Sequence, residues 1–123
     1  MANAAPSIAI IDDDASVLNA LTRLLRAHSF RAKAYASAGE FLAALPEATP
    51  DGLILDLQMP EMSGLELLQR LTINGVAIPT IVITAQPDAA SRQRCDTLGA
   101  IAFLTKPLQD SALFAALGKV RAQ

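Results

Sequence analysis

Acidic, hydroxyl and basic side chains follow several of the short apolar runs in this sequence. Three consecutive aspartates, residues 12–14, come after the first run, and Asp56 lies near the end of the run GLILDL. Thr84 ends the run PTIVIT, and Lys106 comes two residues after the run IAFL. Carboxylates that lie close together repel one another unless a cation lies among them. Carboxylates, waters and a phosphate are the ligands typical of Mg²⁺.

Together these groups would form a site for a phosphoryl group. Mg²⁺ and the ammonium of Lys106 would offset its charge, and the hydroxyl of Thr84 would donate a hydrogen bond to it. An aspartate can itself be the nucleophile, which gives an aspartyl phosphate. The residue types therefore predict phosphoryl-transfer chemistry, provided that the fold brings them together.

The elements that must position these residues are short apolar runs that alternate with helical patterns. Predicted strands cover residues 7–11, 31–35, 52–57, 79–84 and 101–104. Three predicted helices cover residues 14–28, 88–98 and 110–120. Two more open at the capping-box serines Ser37 and Ser63, each three residues before a glutamate, and end at Pro46 and at Asn74–Gly75.

Five βα units in one chain imply an α/β fold, a doubly wound parallel sheet with helices on both faces. In such folds, ligands bind outside the carboxyl ends of the strands, near the point where the strand order reverses. The aspartates, Thr84 and Lys106 all lie at the carboxyl ends of predicted strands or just after them, so we expect them at this edge of the sheet.

Length and composition bound the class of protein. The 123 residues are predicted to form a single domain, 1–123, with its core at about 7–121. Apolar residues make up 52% of the chain and charged residues 18%, which excludes intrinsic disorder. The net charge of −2 does not favour nucleic-acid binding by this chain alone. The single cysteine, Cys95, fits a reducing cytosol, and the longest uncharged stretch, 71–87, contains breakers that exclude a membrane helix.

Four segments resemble the receiver domain of bacterial two-component response regulators, the CheY-like superfamily. They are IIDDD (10–14), LILDLQMPEMSGLELL (53–68), IVITA (81–85) and GAIAFLTKP (99–107). The resemblance covers residues 7–121, and the second and third segments are similar to the receivers of FixJ-type transcription regulators. It implies the flavodoxin-like (βα)5 fold of CheY, with strand order 2-1-3-4-5.

The resemblance also implies a role for each acid of the predicted site. Asp56 would be the phosphoacceptor. Asp13 would bind Mg²⁺ directly, together with Asp56 and the backbone carbonyl of Gln58, and Asp12 would assist through a water molecule. Asp14 is interpreted as a helix cap or surface acid.

The remaining roles concern the phosphoryl group and the response to it. Thr84 would hydrogen-bond the phosphoryl group and Lys106 would pair with it, with a cis peptide bond between Lys106 and Pro107. Phe103 would be the switch aromatic, which turns inward when Thr84 moves toward the phosphoryl group.

A protein of this family is a signalling switch that catalyses only its own phosphorylation and dephosphorylation. The resemblance implies a sensor histidine kinase as phosphoryl donor and a cytoplasmic location. The face formed by the fourth helix, fifth strand and fifth helix would bind partners, or a second copy when phosphorylated. The chain is either a stand-alone regulator or a receiver whose DNA-binding effector domain follows Gln123.

Two other functions compete with this interpretation. One is a Mg²⁺-dependent phosphatase of the haloacid dehalogenase type, in which Asp12 would be the nucleophile and Asp14 its partner. The short chain argues against it, because such enzymes have a larger core and a cap. The other is a phosphorylation-independent interaction module, against which the intact Asp13, Asp56, Thr84 and Lys106 argue.

Overall fold

The computed structural model describes residues 5–122, which form a five-stranded parallel sheet with five helices. The strands are β1 Ser7–Ile11, β2 Arg31–Tyr35, β3 Gly52–Asp56, β4 Thr80–Thr84 and β5 Ala100–Thr105. The helices are α1 Ala15–Ala27, α2 Ala38–Ala44, α3 Gly64–Ile73, α4 Ala89–Thr97 and α5 Asp110–Arg121. The strand order is β2-β1-β3-β4-β5 and all pairs are parallel, which confirms the predicted fold.

Two apolar clusters cover the two faces of the sheet. On one face, α2, α3 and α4 pack against side chains such as Leu53 and Leu55 of β3. On the other face, α1 and α5 pack against side chains such as Ile54 and Ile81. Successive residues of a strand point to opposite faces, so a strand covered on both sides is apolar throughout. This explains why β3 and β4 are buried along their whole length.

The bounds of several elements differ from the predicted ones by one or two residues. Strand β3 ends at Asp56 rather than Leu57, and β4 begins at Thr80, because Pro79 has no N–H to donate to the sheet. Strand β5 is longer than predicted at both ends, since its pairing with β4 extends from Ala100 to Thr105.

Capped helix N-termini fix the loops that follow the strands. At Ser63 both bonds of the predicted capping box form, between Ser63 Oγ and the Glu66 N–H and between the Ser63 N–H and Glu66 Oε1. At Ser37 the structure shows the first of these bonds, from the N–H of Glu40. A cap satisfies a donor that the helix leaves free. The start of α3, and with it the loop after β3, is therefore held in place.

Helix α4 differs from the other helices in its polarity. Within it only Cys95 is buried, and the rest of its surface carries polar or small side chains. Most of the surface of this helix is therefore polar and exposed. Across residues 5–122, none of the helices is both long enough and apolar enough to traverse a bilayer.

Candidate functional site

Three carboxylates meet at the carboxyl ends of β1 and β3. The two strands are neighbours, with Ile11 paired to Leu55, so Asp12 follows β1 beside Asp56 at the end of β3. One oxygen from each of Asp12, Asp13 and Asp56 lies within 4.8 Å of the others. Asp12 is 0% exposed and Asp56 3%, whereas Asp13 is exposed. The cluster is thus buried on one side and open to solvent at Asp13.

Lys106 provides the positive charge of this cluster. Its Nζ donates to Asp12 Oδ2 across 2.8 Å and lies 3.5 Å from Asp56 Oδ1. The backbone N–H of Lys106 donates to the carbonyl of Thr84, which ties the end of β5 to the end of β4. The peptide bond between Lys106 and Pro107 is cis. The ammonium therefore reaches the carboxylates from the end of β5, which is separated from β1 by β3 and β4.

The electrostatics of the cluster favour an added cation. Burial, and then the negative charge of Asp12, raise the pKa of Asp56 above its usual range, while Lys106 opposes this shift. Burial alone would lower the pKa of Lys106, but the hydrogen bond and charge of Asp12 outweigh it, and the pKa is raised. One ammonium facing three carboxylates leaves an excess of negative charge. Hard oxygen ligands with such an excess fit a divalent ion such as Mg²⁺.

The structure separates Asp14 from its two neighbours. Its carboxylate accepts hydrogen bonds from the backbone N–H and the hydroxyl of Ser16, and these bonds lower its pKa. Asp14 is therefore the N-cap of α1, as interpreted from the sequence. Its backbone N–H donates to Asp12 Oδ1, which helps to orient the buried carboxylate.

Thr84 reaches the same edge, where its hydroxyl contacts the side chain of Gln58. Its buried hydroxyl donates to Oε1 of Gln58 across 2.7 Å and accepts from the backbone N–H of Gln86 at 3.1 Å. Gln58 was predicted to hold Mg²⁺ through its backbone carbonyl, but this side-chain bond to Thr84 was not predicted. A polar side chain two residues beyond a strand-end aspartate was the available signal for this contact.

Gly64 was also missed as a residue of the site. It is the first residue of α3, and its N–H donates to the carbonyl of Leu57. A Cβ atom at this position would collide with the backbone carbonyl of Asp56. Only glycine allows the helix to begin so close to the strand that carries Asp56.

Phe103 lies on β5, outside the carboxylate cluster. It is partly buried against the core, and the guanidinium of Arg92 on α4 lies 5.7 Å from its ring centroid. Phe103 pairs with Val82, two positions before the pair formed by Thr84 and Thr105. The ring therefore lies next to α4, on the strand that leads to the edge with the candidate site.

Comparison with known proteins agrees with the order and geometry of these residues. A family model described as the response regulator receiver domain matches residues 8–118. The chain belongs to this family. It is therefore a receiver domain of two-component signalling regulators, as its motifs predicted, and the phosphatase interpretation is not favoured. The matched range contains every residue of the site described above.

Relatives of this receiver domain include transcriptional regulators. It is 40% identical over 110 residues to the response regulator protein TmoT of Ectopseudomonas mendocina, covering 89% of this chain and 50% of TmoT. It is 36% identical over 111 residues to the transcriptional regulatory protein FixJ of Rhizobium meliloti strain 1021, covering 90% of this chain and 54% of FixJ. The receiver chain thus spans about half the length of these relatives.

A solved structure supports the same assignment. The crystal structure of FixJ-N is 33% identical to this receiver domain, with a TM-score of 0.88. The alignment covers 100% of this chain and 97% of FixJ-N. The predicted similarity to FixJ-type receivers is thereby confirmed.

Proposed function

We propose that Asp56 of this receiver domain accepts a phosphoryl group from the phosphohistidine of a sensor histidine kinase. A carboxylate oxygen of Asp56 forms the new bond to phosphorus as the bond from phosphorus to the histidine nitrogen breaks. The electron pair of the broken bond stays on the histidine nitrogen. The departing imidazole is neutral if its other nitrogen carries a proton, and otherwise takes up a proton. The observation that supports this proposal is the position of Asp56, which lies beside Asp12, Asp13 and Lys106 in one cluster.

The residues of the cluster suit Mg²⁺ as the resident cofactor. Asp13, Asp56 and the backbone carbonyl of Gln58 would hold the ion, and Asp12 would assist through a water molecule. When bound, Mg²⁺ offsets negative charge on the transferring group. Lys106 supplies a second positive charge, and the hydroxyl of Thr84 supplies a donor to the phosphoryl oxygens. The domain thereby catalyses its own phosphorylation and dephosphorylation and acts on no other substrate.

The output of the domain is a change of shape at the β5 edge of the sheet. When Thr84 turns toward phospho-Asp56, the space that it leaves is filled by Phe103, and this movement reshapes the face formed by α4, β5 and α5. This face would bind a partner or a second phosphorylated copy. Because FixJ, which is about twice as long as this chain, is named a transcriptional regulatory protein, we propose that an effector domain outside this chain carries any DNA binding.

Labelling with a small phosphodonor tests the acceptor. Incubation of the receiver domain with acetyl phosphate and Mg²⁺ should add one phosphoryl group, which intact-mass spectrometry detects and hydroxylamine removes. The variant Asp56→Asn should not be labelled, because an amide is not a nucleophile. Asp14→Asn is the matched control and should be labelled at the wild-type rate, since Asp14 is bonded to Ser16. Equal labelling of Asp56→Asn and the wild type would exclude Asp56 as acceptor.

Binding of beryllofluoride, a phosphoryl mimic, tests the switch. In Mg²⁺ it should shift the backbone amide resonances of residues 84–110 in the wild-type domain. Thr84→Ala should still bind the mimic but show smaller shifts around Phe103, because it lacks the hydroxyl that couples Asp56 to Phe103. Binding without any change in this region would refute the conformational switch, whichever residue is phosphorylated.

A further inference from the structure

The hydroxyl of Thr84 already has a partner in the resting receiver domain. A threonine hydroxyl has one proton to donate. In this structure Thr84 donates it to the side-chain oxygen of Gln58, across 2.7 Å. The same proton cannot be donated to a phosphoryl oxygen at Asp56. Thr84 must therefore break its bond to Gln58 before it can engage a phosphoryl group.

The burial of Thr84 makes its hydrogen bond to Gln58 important for the resting state. Thr84 is 0% exposed, so water does not readily replace the acceptor that Gln58 supplies. Gln58 itself is exposed, and its side chain reaches from the loop after β3 to the end of β4. The second bond to Thr84 comes from the backbone N–H of Gln86 and uses the hydroxyl as acceptor. That bond does not compete for the hydroxyl proton.

We propose that Gln58 is a positioning residue, whose side-chain amide holds the hydroxyl of Thr84 in its resting orientation and competes with the phosphoryl group for it. The inference rests on the proposed function of Asp56 and Thr84. It assigns to Gln58 a second role, through its side chain, apart from that of its backbone carbonyl as a metal ligand. The strength of this bond then helps to set how far the domain switches for a given phosphoryl mimic.

The bond between Gln58 and Thr84 stabilises the resting state but not the switched state. Removal of the amide leaves a buried hydroxyl donor without an acceptor in the resting state only. A ligand shifts an equilibrium between two states by its differential affinity for them, so a weaker resting state makes the switched state easier to reach. The net value of one hydrogen bond corresponds to a change of about 2- to 12-fold in an equilibrium constant.

The substitution Gln58→Met tests the proposal, because it keeps the length of the side chain and the backbone carbonyl but removes the acceptor. At saturating Mg²⁺ it should bind beryllofluoride about 2- to 12-fold more tightly than the wild type. Without beryllofluoride, its Thr84 and Phe103 amide resonances should lie part-way along the line from the resting to the bound positions. Gln58→Ala should change both quantities in the same direction.

The matched control is Gln86→Met, on the other side of Thr84. Gln86 contacts the hydroxyl through its backbone N–H, which this substitution leaves in place. Its affinity for beryllofluoride and its resting resonances should remain those of the wild type. An equal effect of Gln58→Met and Gln86→Met would contradict the proposal. The effect would then arise from any substitution near the mouth of the site and not from loss of the bond between Gln58 and Thr84.

A Thr84→Val background isolates the coupling between the two residues. Valine has the shape of threonine without the hydroxyl, so Gln58→Met should no longer change the affinity for beryllofluoride in this background. If the effect persists, Gln58 acts on the mimic or its metal directly and the proposal is wrong. It is also wrong if the wild type binds beryllofluoride and Gln58→Met binds no more tightly. A wild type that binds no beryllofluoride would instead contradict the proposed function, and this inference with it.

Discussion

The ammonium of Lys106 donates to the carboxylate of Asp12 across 2.8 Å and thereby joins the end of β5 to the end of β1. Asp12 is completely buried, and Asp56, the second carboxylate near this ammonium, is nearly so. In the resting domain Lys106 therefore offsets the charge of two buried carboxylates. Its first task is to stabilise the fold, before any phosphoryl group arrives.

The substitution Lys106→Met should consequently destabilise the domain. Removing one partner of a buried charge pair leaves the other charge uncompensated, at a cost of about 2–3 kcal/mol for a partly exposed lysine. Urea unfolding at neutral pH without divalent ions measures this loss, and Mg²⁺ should restore part of it. Lys33→Met, at an exposed lysine on β2, is the control. Equal losses in the two variants would show that the pairing with Asp12 contributes nothing.

Asp13 and Asp14 should differ in their effect on Mg²⁺ affinity, although they are adjacent. Asp13 belongs to the carboxylate cluster, whereas Asp14 is bonded to Ser16 at the start of α1. We expect Asp13→Asn to weaken Mg²⁺ binding by about tenfold or more, since a direct charged ligand is lost. Asp14→Asn should leave the affinity near that of the wild type, because asparagine also caps helices. Titration calorimetry compares the two, and a larger effect of Asp14→Asn would reverse the assignment.

The raised pKa of Asp56 predicts how stability depends on pH. A carboxyl group with a raised pKa destabilises the folded state when it ionises. This penalty is absent below the ordinary pKa of 3.8, grows as pH rises from there, and is complete above the raised pKa. Without Mg²⁺, Asp56→Asn should therefore raise the midpoint of thermal unfolding at neutral pH.

Thermal unfolding from about pH 3.5 to pH 8 checks this dependence. The difference between Asp56→Asn and the wild type should shrink as the solution is acidified, because the wild-type carboxyl becomes neutral. Asp14→Asn should not raise the midpoint, since the bonds from Ser16 lower the pKa of Asp14 and make its ionised form favourable. A difference for Asp56→Asn that does not vary with pH would contradict the electrostatic explanation.

Two glycines in helices should respond in opposite ways to alanine. At Gly64 the added Cβ atom collides with the backbone of Asp56, so Gly64→Ala should cost about 1–3 kcal/mol and slow labelling of Asp56. At Gly118, in α5, a Cβ atom would meet nothing within 4 Å, so Gly118→Ala should stabilise by about 0.5–1 kcal/mol. Urea unfolding of both variants provides the measurement. Stabilisation by Gly64→Ala would show that the loop after β3 moves to accommodate the added Cβ atom without loss of stability.

The sequence was sufficient to predict the sheet and the residues that gather at its edge. Apolar runs specified the strands, and the carboxyl ends of parallel strands meet at one edge of a sheet. The acids after β1 and β3 could therefore be placed together before any coordinates were known. Several bounds were wrong by one or two residues, including strand ends, where pairing with the neighbouring strand decides whether a residue such as Thr105 is included.

The contacts within the site could not be predicted in the same way. They depend on side-chain rotamers and on the distance between loops that are far apart in sequence. The bond between Gln58 and Thr84 joins residues 26 positions apart, and the bond between Lys106 and Asp12 joins residues 94 positions apart. The closeness of Gly64 to Asp56 depends on how α3 begins, which a capping motif indicates only to within a residue or two.

The most direct test of the central claim is to locate the phosphoryl group. Borohydride reduces an acyl phosphate on aspartate to homoserine, which peptide mass spectrometry identifies by position. After labelling with acetyl phosphate and Mg²⁺, the receiver domain should contain homoserine at position 56, and the unlabelled domain should contain none. Homoserine at position 12, with an unmodified Asp56, would contradict the account and return the haloacid dehalogenase interpretation to consideration.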